Sequence, residues 1–252
     1  MFDYTIIANK SKNLIRNLYK QLACSKILIS KMPAIKKHDF VEIEYTGSIK
    51  GDGAVFDTTE EKVARENGLY DKNADYSPAT ICIGEHNILK ALDEHMVGKE
   101  TGKEYKFEVS SENAFGRKDA KLIQLIPASK FRQQNIQPIP GLQLNIDGVF
   151  GIVKTVSGGR CLVDFNHPLA GKDLVYNVKI NRIVDDSKEK LNSLLKIHLN
   201  IKDAEIEAQE GNFNIKSKNK IPKEAQEEFK KIVERAVPSI KNIILTIPNE
   251  NK

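Results

Sequence analysis

Val41-Glu42-Ile43-Glu44-Tyr45-Thr46-Gly47 is the stretch on which the reading of the fold turns. Val41, Ile43 and Tyr45 alternate with Glu42 and Glu44, the period-two signature of a strand with one buried face. Gly51-Asp52-Gly53 then turns the chain into a second strand, which begins Val55-Phe56-Asp57-Thr58-Thr59. Thr58 to Gly68 is charged and predicts a helix that Gly68 stops. Ala79 to Ile83 predicts a strand ended by Gly84. Ile88, Leu89 and Leu92 share one face of a short helix that Val97-Gly98 closes. Tyr105, Phe107 and Val109 alternate as another strand.

After Gly116 the texture changes. Leu122 to Ile126 is apolar and stops at Pro127. Leu142, Leu144 and Ile146 alternate up to an Asp147-Gly148 turn, Val149 to Val156 follows, and Gly158-Gly159 turns the chain into Arg160 to Phe165. Strands at hairpin spacing predict a small all-β unit here. Tyr176, Val178 and Ile180 alternate with polar residues in a later strand, and Asp185 to Lys188 is a polar boundary. Beyond it, Leu191, Leu194, Leu195 and Ile197 predict a helix, residues 203–217 a hairpin turning at Gly211-Asn212, Pro222 to Val237 an amphipathic helix, and Ile243 to Ile247 a strand.

The net charge of +5 is concentrated rather than spread. Residues 1–32 hold six Lys or Arg against Asp3 alone, which leaves 33 basic and 33 acidic residues in the remainder. A neutral body carries no phosphate-binding stripe, so no nucleic-acid partner is expected. Within residues 1–31, Leu14, Ile15, Leu18, Tyr19 and Leu22 recur at helical spacing. A basic amphipathic helix, a targeting segment and a start at Met32 are the competing readings. The chain has no apolar run of membrane-spanning length, and no membrane association is expected. Cys24, Cys82 and Cys161 are sparse and unpaired in sequence, which points to a reducing, cytoplasmic setting. His38, His86, His95, His167 and His198 show no ligand spacing, so neither a metal site nor a cofactor is expected.

Taken in order and spacing, the Val41 to Gly47 and Val55 to Thr59 stretches, Ile83-Gly84 with Ile88-Leu89-Lys90-Ala91-Leu92, and Ala114-Phe115-Gly116 resemble the FKBP family of peptidyl-prolyl cis–trans isomerases. Asn166-His167-Pro168-Leu169-Ala170-Gly171-Lys172 followed by Val175-Tyr176-Asn177-Val178 resembles its SlyD-like branch, and among that branch the long archaeal forms. The resemblance runs from residue 39 to 184. It implies an α+β chain: an FKBP-like antiparallel sheet with a short helix (residues 33–118 and 165–186), an all-β domain inserted in the flap that binds unfolded chains (119–164), and a small C-terminal α+β domain (187–252). Residues 1–31 stand outside it as an extension.

An X-Pro bond isomerises over a barrier of about 18–20 kcal/mol, because amide resonance must be broken. A protein accelerates the twist by binding the rotated amide better than either planar form. The twisted carbonyl carries less charge, so an apolar cup with one or two polar groups suits it. The resemblance implies that Tyr45, Phe56, Ile88, Leu89, Leu92, Phe115 and Tyr176 line that cup, with Asp57 at its rim. The competing reading is that these are ordinary core residues and that Asp57 forms a turn or caps a helix. Leu92 stands where many relatives carry tryptophan and Phe115 where many carry tyrosine. The partners implied are unfolded chains containing X-Pro bonds. The inserted domain would hold such chains near the pocket. A holdase with little isomerase activity is the alternative, favoured by the hydroxyl that Phe115 lacks. Residues 187–252 are too few for a robust core of their own. They are expected to pair two copies of the chain, or else to dock on the isomerase domain.

Overall fold

The computed structural model of the chain describes residues 33–146, 148–209, 211–217 and 221–246. The expectations for residues 1–31 therefore lie outside the described residues. Three sheets organise the rest, and β1 (Phe40–Ile49) is the centre of the first. On one side β1 pairs along its length with β9 (Leu174–Val184), which in turn pairs with β4 (Lys103–Val109). On its other side lie β3 (Ala79–Cys82), against residues 40–43, and β2 (Val55–Thr58), against residues 46–48. All of these pairings are antiparallel. The alternation read from the sequence is therefore a structural one. Val41 and Ile43 enter the core with Val178 and Ile180, while Glu42 and Glu44 pair with Arg182 and Lys179 outside it.

Two short helices close this core. The charged segment after β2 is helical only over α1 (Glu61–Glu66), because Thr58 still belongs to β2 and Glu60 is the cap. The second helix, α2 (Lys90–Met96), buries Leu92 and Met96. Leu89 is its cap and Ile88 precedes it, so only Leu92 of the three expected residues lies within the helix.

A four-stranded sheet follows, in the order β5 (Ile123–Pro127), β8 (Arg160–Asp164), β7 (Val149–Ser157) and β6 (Gln143–Ile146). The expectation of an all-β unit is corrected here, because α3 (Ala128–Gln133) packs Ala128 and Phe131 against Val153, Cys161 and Val163. Pro127 starts this helix and Asn135, at φ 57°, lies just past its end. Six residues are too short for a periodic pattern to stand out.

The third sheet pairs β10 (Glu205–Gln209) antiparallel with β11 (Asn212–Lys216), and β11 parallel with β12 (Asn242–Thr246). α4 (Ser187–Leu199) precedes it, capped by Asp186 Oδ1, which accepts from the N–H groups of Lys188 and Glu189. α5 (Lys223–Ala236) bridges β11 and β12. Leu191, Leu194, Leu195, Phe229 and Val233 share a core with Phe40, Cys82 and Val184 of the first sheet. Phe40 faces away from Val41, so β1 is buried on both faces at this end. Among the described residues no helix is long and apolar enough to cross a membrane.

Candidate active site

Tyr45 and Asp57 meet where β2 pairs with β1. The Tyr45 hydroxyl donates to Asp57 Oδ2 at 2.9 Å. The strands are clamped beside it: Tyr45 N–H donates to Thr59 Oγ1 at 2.9 Å, and Thr59 N–H donates to the Tyr45 carbonyl at 3.0 Å. Asp57 caps no helix, since α1 is capped by Glu60 without a side-chain bond.

β9 brings Tyr176 opposite Gly47 of β1. Phe56 meets Tyr176 edge-on, with ring centroids 5.8 Å apart at 87°, and the Tyr45 ring lies 6.2 Å from Tyr176 at 53°. Gly47 permits this. A Cβ there would stand 2.8 Å from Phe56 Cζ and 2.9 Å from Tyr176 Cε1. Sequence reasoning quoted Gly47 without giving it a role, although a glycine inside a strand pattern is itself a signal of close approach.

The two phenols at this place are biased to stay neutral. Burial pushes the Tyr45 phenol well above its ordinary 10.0, and the Asp57 charge and hydrogen bond add to the effect. Burial, then the Asp57 charge, pushes Tyr176 up to about 12. Both phenols thus remain donors at neutral pH. Among the described residues the Tyr176 hydroxyl has no hydrogen-bond partner.

Ile88, Leu89 and Leu92 pack on the same core cluster as Tyr45, Phe56 and Tyr176. Leu92 is buried to 2% exposure, beneath the half-buried Ile88 and Leu89. The turn ahead of Ile88 is fixed by the buried Asp93, whose carboxylate accepts from Gly84 N–H at 3.0 Å and His86 N–H at 3.2 Å. Phe115 is joined instead to His167, face to face at 4.3 Å and 2°. It is 37% exposed, while its neighbour Ala114, and Leu169 beyond His167, pack on the same core cluster. The structure therefore places Tyr45, Phe56, Asp57 and Tyr176 in direct contact and Ile88, Leu89 and Leu92 on their shared core. It gives Phe115 an exposed stacked position. Among the described residues no cluster of three or more His, Cys, Asp or Glu groups is set to hold a metal ion.

Exposed large apolar side chains recur along the four-stranded sheet and its loops, at Leu122, Leu125, Ile139, Val149, Phe150 and Val156. A family model described as FKBP26, IF domain, matches residues 124–169, which take in most of this unit. A short-type peptidyl-prolyl cis–trans isomerase of Methanocaldococcus jannaschii is 32% identical over 149 residues, covering 59% of this chain and 94% of the relative. A probable FKBP-type 16 kDa peptidyl-prolyl cis–trans isomerase of Pseudomonas fluorescens is 35% identical over 121 residues, covering 46% and 79%. The FKBP-type isomerase SlyD of Helicobacter pylori is 25% identical over 133 residues, covering 50% and 72%. A mixed α/β chain built on an antiparallel sheet, matching relatives of this kind over 94% and 79% of their length, belongs to the FKBP-type peptidyl-prolyl cis–trans isomerases and is an enzyme of that class.

Proposed function

We propose that Tyr45, Phe56, Asp57, Ile88, Leu89, Leu92, Phe115 and Tyr176 form the prolyl pocket, and that residues 119–164 act as a chaperone domain feeding it. The observation that carries the pocket is the contact set of Phe56, Tyr176, Tyr45 and Asp57 around Gly47. Rings meeting edge-on leave apolar surface for a proline ring. The Tyr176 hydroxyl has a proton to offer a substrate carbonyl. Asp57, oriented by Tyr45, sets a fixed negative charge beside the bond, where it favours the polarity of one amide geometry over another. Catalysis needs only that the twisted amide be held better than the planar ones. The stacked Phe115 and His167 would form an exposed outer wall, without the hydroxyl a tyrosine would offer.

The chaperone role is supported by the exposed apolar side chains between Leu122 and Val156, a concentration suited to unfolded chain. The domains are then residues 33–118 with 165–186 for catalysis, 119–164 for capture and 187–252 as the appended unit. Pairing of two chains through residues 187–252 would have to use a surface other than the apolar face of α5, which is buried in one core cluster with α4 and with Phe40, Cys82 and Val184. The sheet of that unit has edge strands β10 and β12, and Ile244 of β12 is exposed.

Replacing residues 119–164 by a short loop tests the division of labour. Turnover of a prolyl tetrapeptide should survive, while catalysis of proline-limited refolding of a protein should fall steeply. Equal loss on both substrates would make the inserted residues part of the catalytic fold.

A further inference from the structure

A cleft of about 580 Å³ lies between β3 and α4, and Tyr45 and Ile88 are among its walls. Hydrogen bonding fixes which β3 groups face it. Ile83 N–H donates to the Asp39 carbonyl and the Ile83 carbonyl accepts from His38 N–H, so Ile83 faces the β1 side. Backbone groups alternate sides along an antiparallel strand, so Cys82 and Thr80 turn the other way. Cys82 N–H indeed donates to Asn87 Oδ1, at 2.8 Å. Thr80 also lines the cleft, and by the same alternation its N–H and carbonyl face away from β1. Asn87 supplies a third unspent group. With its Oδ1 taken by Cys82, the amide is oriented, and its Nδ2 is buried without a hydrogen-bond partner. The far wall is α4, held across the opening by the Lys196–Asp75 ion pair at 2.6 Å.

The geometry points to this cleft as a subsite for the extended polypeptide segment next to the isomerising X-Pro bond. That segment adds to the open edge of β3, pairs with the Thr80 main chain and accepts from Asn87 Nδ2, with α4 behind it. The occupant is a polypeptide because a strand edge with one N–H and one C=O turned outward is complementary to another main chain. It is the substrate's own flanking segment because Tyr45 and Ile88 belong to both the cleft and the pocket. The inference rests on the pocket assignment above through those two residues.

The test compares kcat/KM for a prolyl tetrapeptide, which fills the pocket alone, with the same X-Pro bond in a longer peptide extended on both sides. Asn192 and Ile197 are exposed positions of α4 on the cleft, and Lys188 is an exposed α4 position away from it. The full chain should favour the longer peptide by about tenfold, the worth of roughly two main-chain hydrogen bonds. Asn192→Trp, and independently Ile197→Trp, should erase that preference with tetrapeptide turnover unchanged, while Lys188→Trp should keep it. No preference in the unaltered chain, or an unaltered preference in both cleft variants, overturns the subsite. Undiminished tetrapeptide turnover in Phe56→Ala would instead remove the pocket assignment, and with it the link from cleft to substrate.

Discussion

One carboxylate, Asp164, ties the four-stranded sheet to the rest of the molecule, and its removal should be felt at neutral pH but not in acid. The chain passes between this sheet and the first one twice, at residues 118–119 and 164–166. Lys118 Nζ donates to Asp164 Oδ2 at 2.8 Å. Asn166 donates to Asp164 Oδ1 through its N–H at 3.0 Å and its Nδ2 at 2.8 Å. Asn166 also binds the other crossing, taking Asp119 N–H on its Oδ1 at 2.8 Å and giving Nδ2 to the Asp119 carbonyl at 3.0 Å. Burial alone would push the Asp164 carboxyl up, but the bonds from Lys118 and Asn166 outweigh it and hold it at about 2 against an ordinary 3.8. The gap corresponds to about 2 kcal/mol. Because the folded value is the lower one, this stability is fully present above the unfolded value near 3.8 and is lost as pH falls through about 2. Asp164→Asn should therefore lower the unfolding free energy by about 2 kcal/mol at neutral pH, with the difference closing toward pH 2. Urea titrations followed by circular dichroism and tyrosine fluorescence read this directly, since the chain has no tryptophan. Comparing variant with parent at each pH cancels the other carboxylates held low by ion pairs, such as Glu44 and Asp75. Equal stability at neutral pH, or a deficit that persists undiminished in acid, would refute the reasoning.

Two further outcomes are expected. Gly47→Ala forces a methyl group into the Phe56 and Tyr176 rings. It should cost about 1–3 kcal/mol of stability and lower tetrapeptide turnover by about tenfold or more through ring displacement; unchanged melting and turnover would show that the rings yield freely. Ending the chain after Asp186 uncovers Phe40, Cys82 and Val184. At about 1.5–3 kcal/mol for each large apolar side chain exposed, the truncated protein should melt at clearly lower temperature and bind a hydrophobic dye; wild-type melting would contradict the shared core. Native mass of the same pair reports on self-association, and an identical oligomeric order in both would remove residues 187–252 as the pairing element.

Much of the first sheet was legible because its strands carry their burial as a period of two. Val41, Ile43, Tyr176, Val178 and Ile180 announce the face they bury. Phe40 was not legible in the same way, since it breaks the alternation by facing a second core that only the docked C-terminal elements create. α3 was missed for a related reason. Its two buried residues, Ala128 and Phe131, are a single helical contact with no repeat to confirm it. The aromatics proposed for the pocket came from ordered motifs, and no pattern in the sequence distinguished pocket lining from core. The Phe115–His167 stack joins residues far apart in the chain, and neither neighbourhood hints at the other. The cleft on β3 was invisible because its wall, α4, arrives from beyond the polar boundary at Asp185.

The inserted unit and the C-terminal unit differ in the way that matters for activity. The buried cluster of the four-stranded sheet is composed of Ala128, Phe131, Val153, Cys161 and Val163, all from within that unit. Its core is closed within the unit, so the capture role proposed above would leave the buried cluster of the first sheet unopened. The C-terminal unit has no such closed core, because Phe229, Leu194 and Leu195 are packed in one core with Phe40, Cys82 and Val184. Its α5 also grips the turn that leads to Ile88. Arg235 pairs through two nitrogens with the buried Glu85, one residue from the Gly84 and His86 amides that Asp93 holds. A tight turn pinned from below by Asp93 and from outside by Arg235 presents Asn87 and Ile88 at a fixed depth. A site that works by holding a twisted amide better than a planar one gains from that rigidity, since any give in the walls would let them follow the planar forms as well.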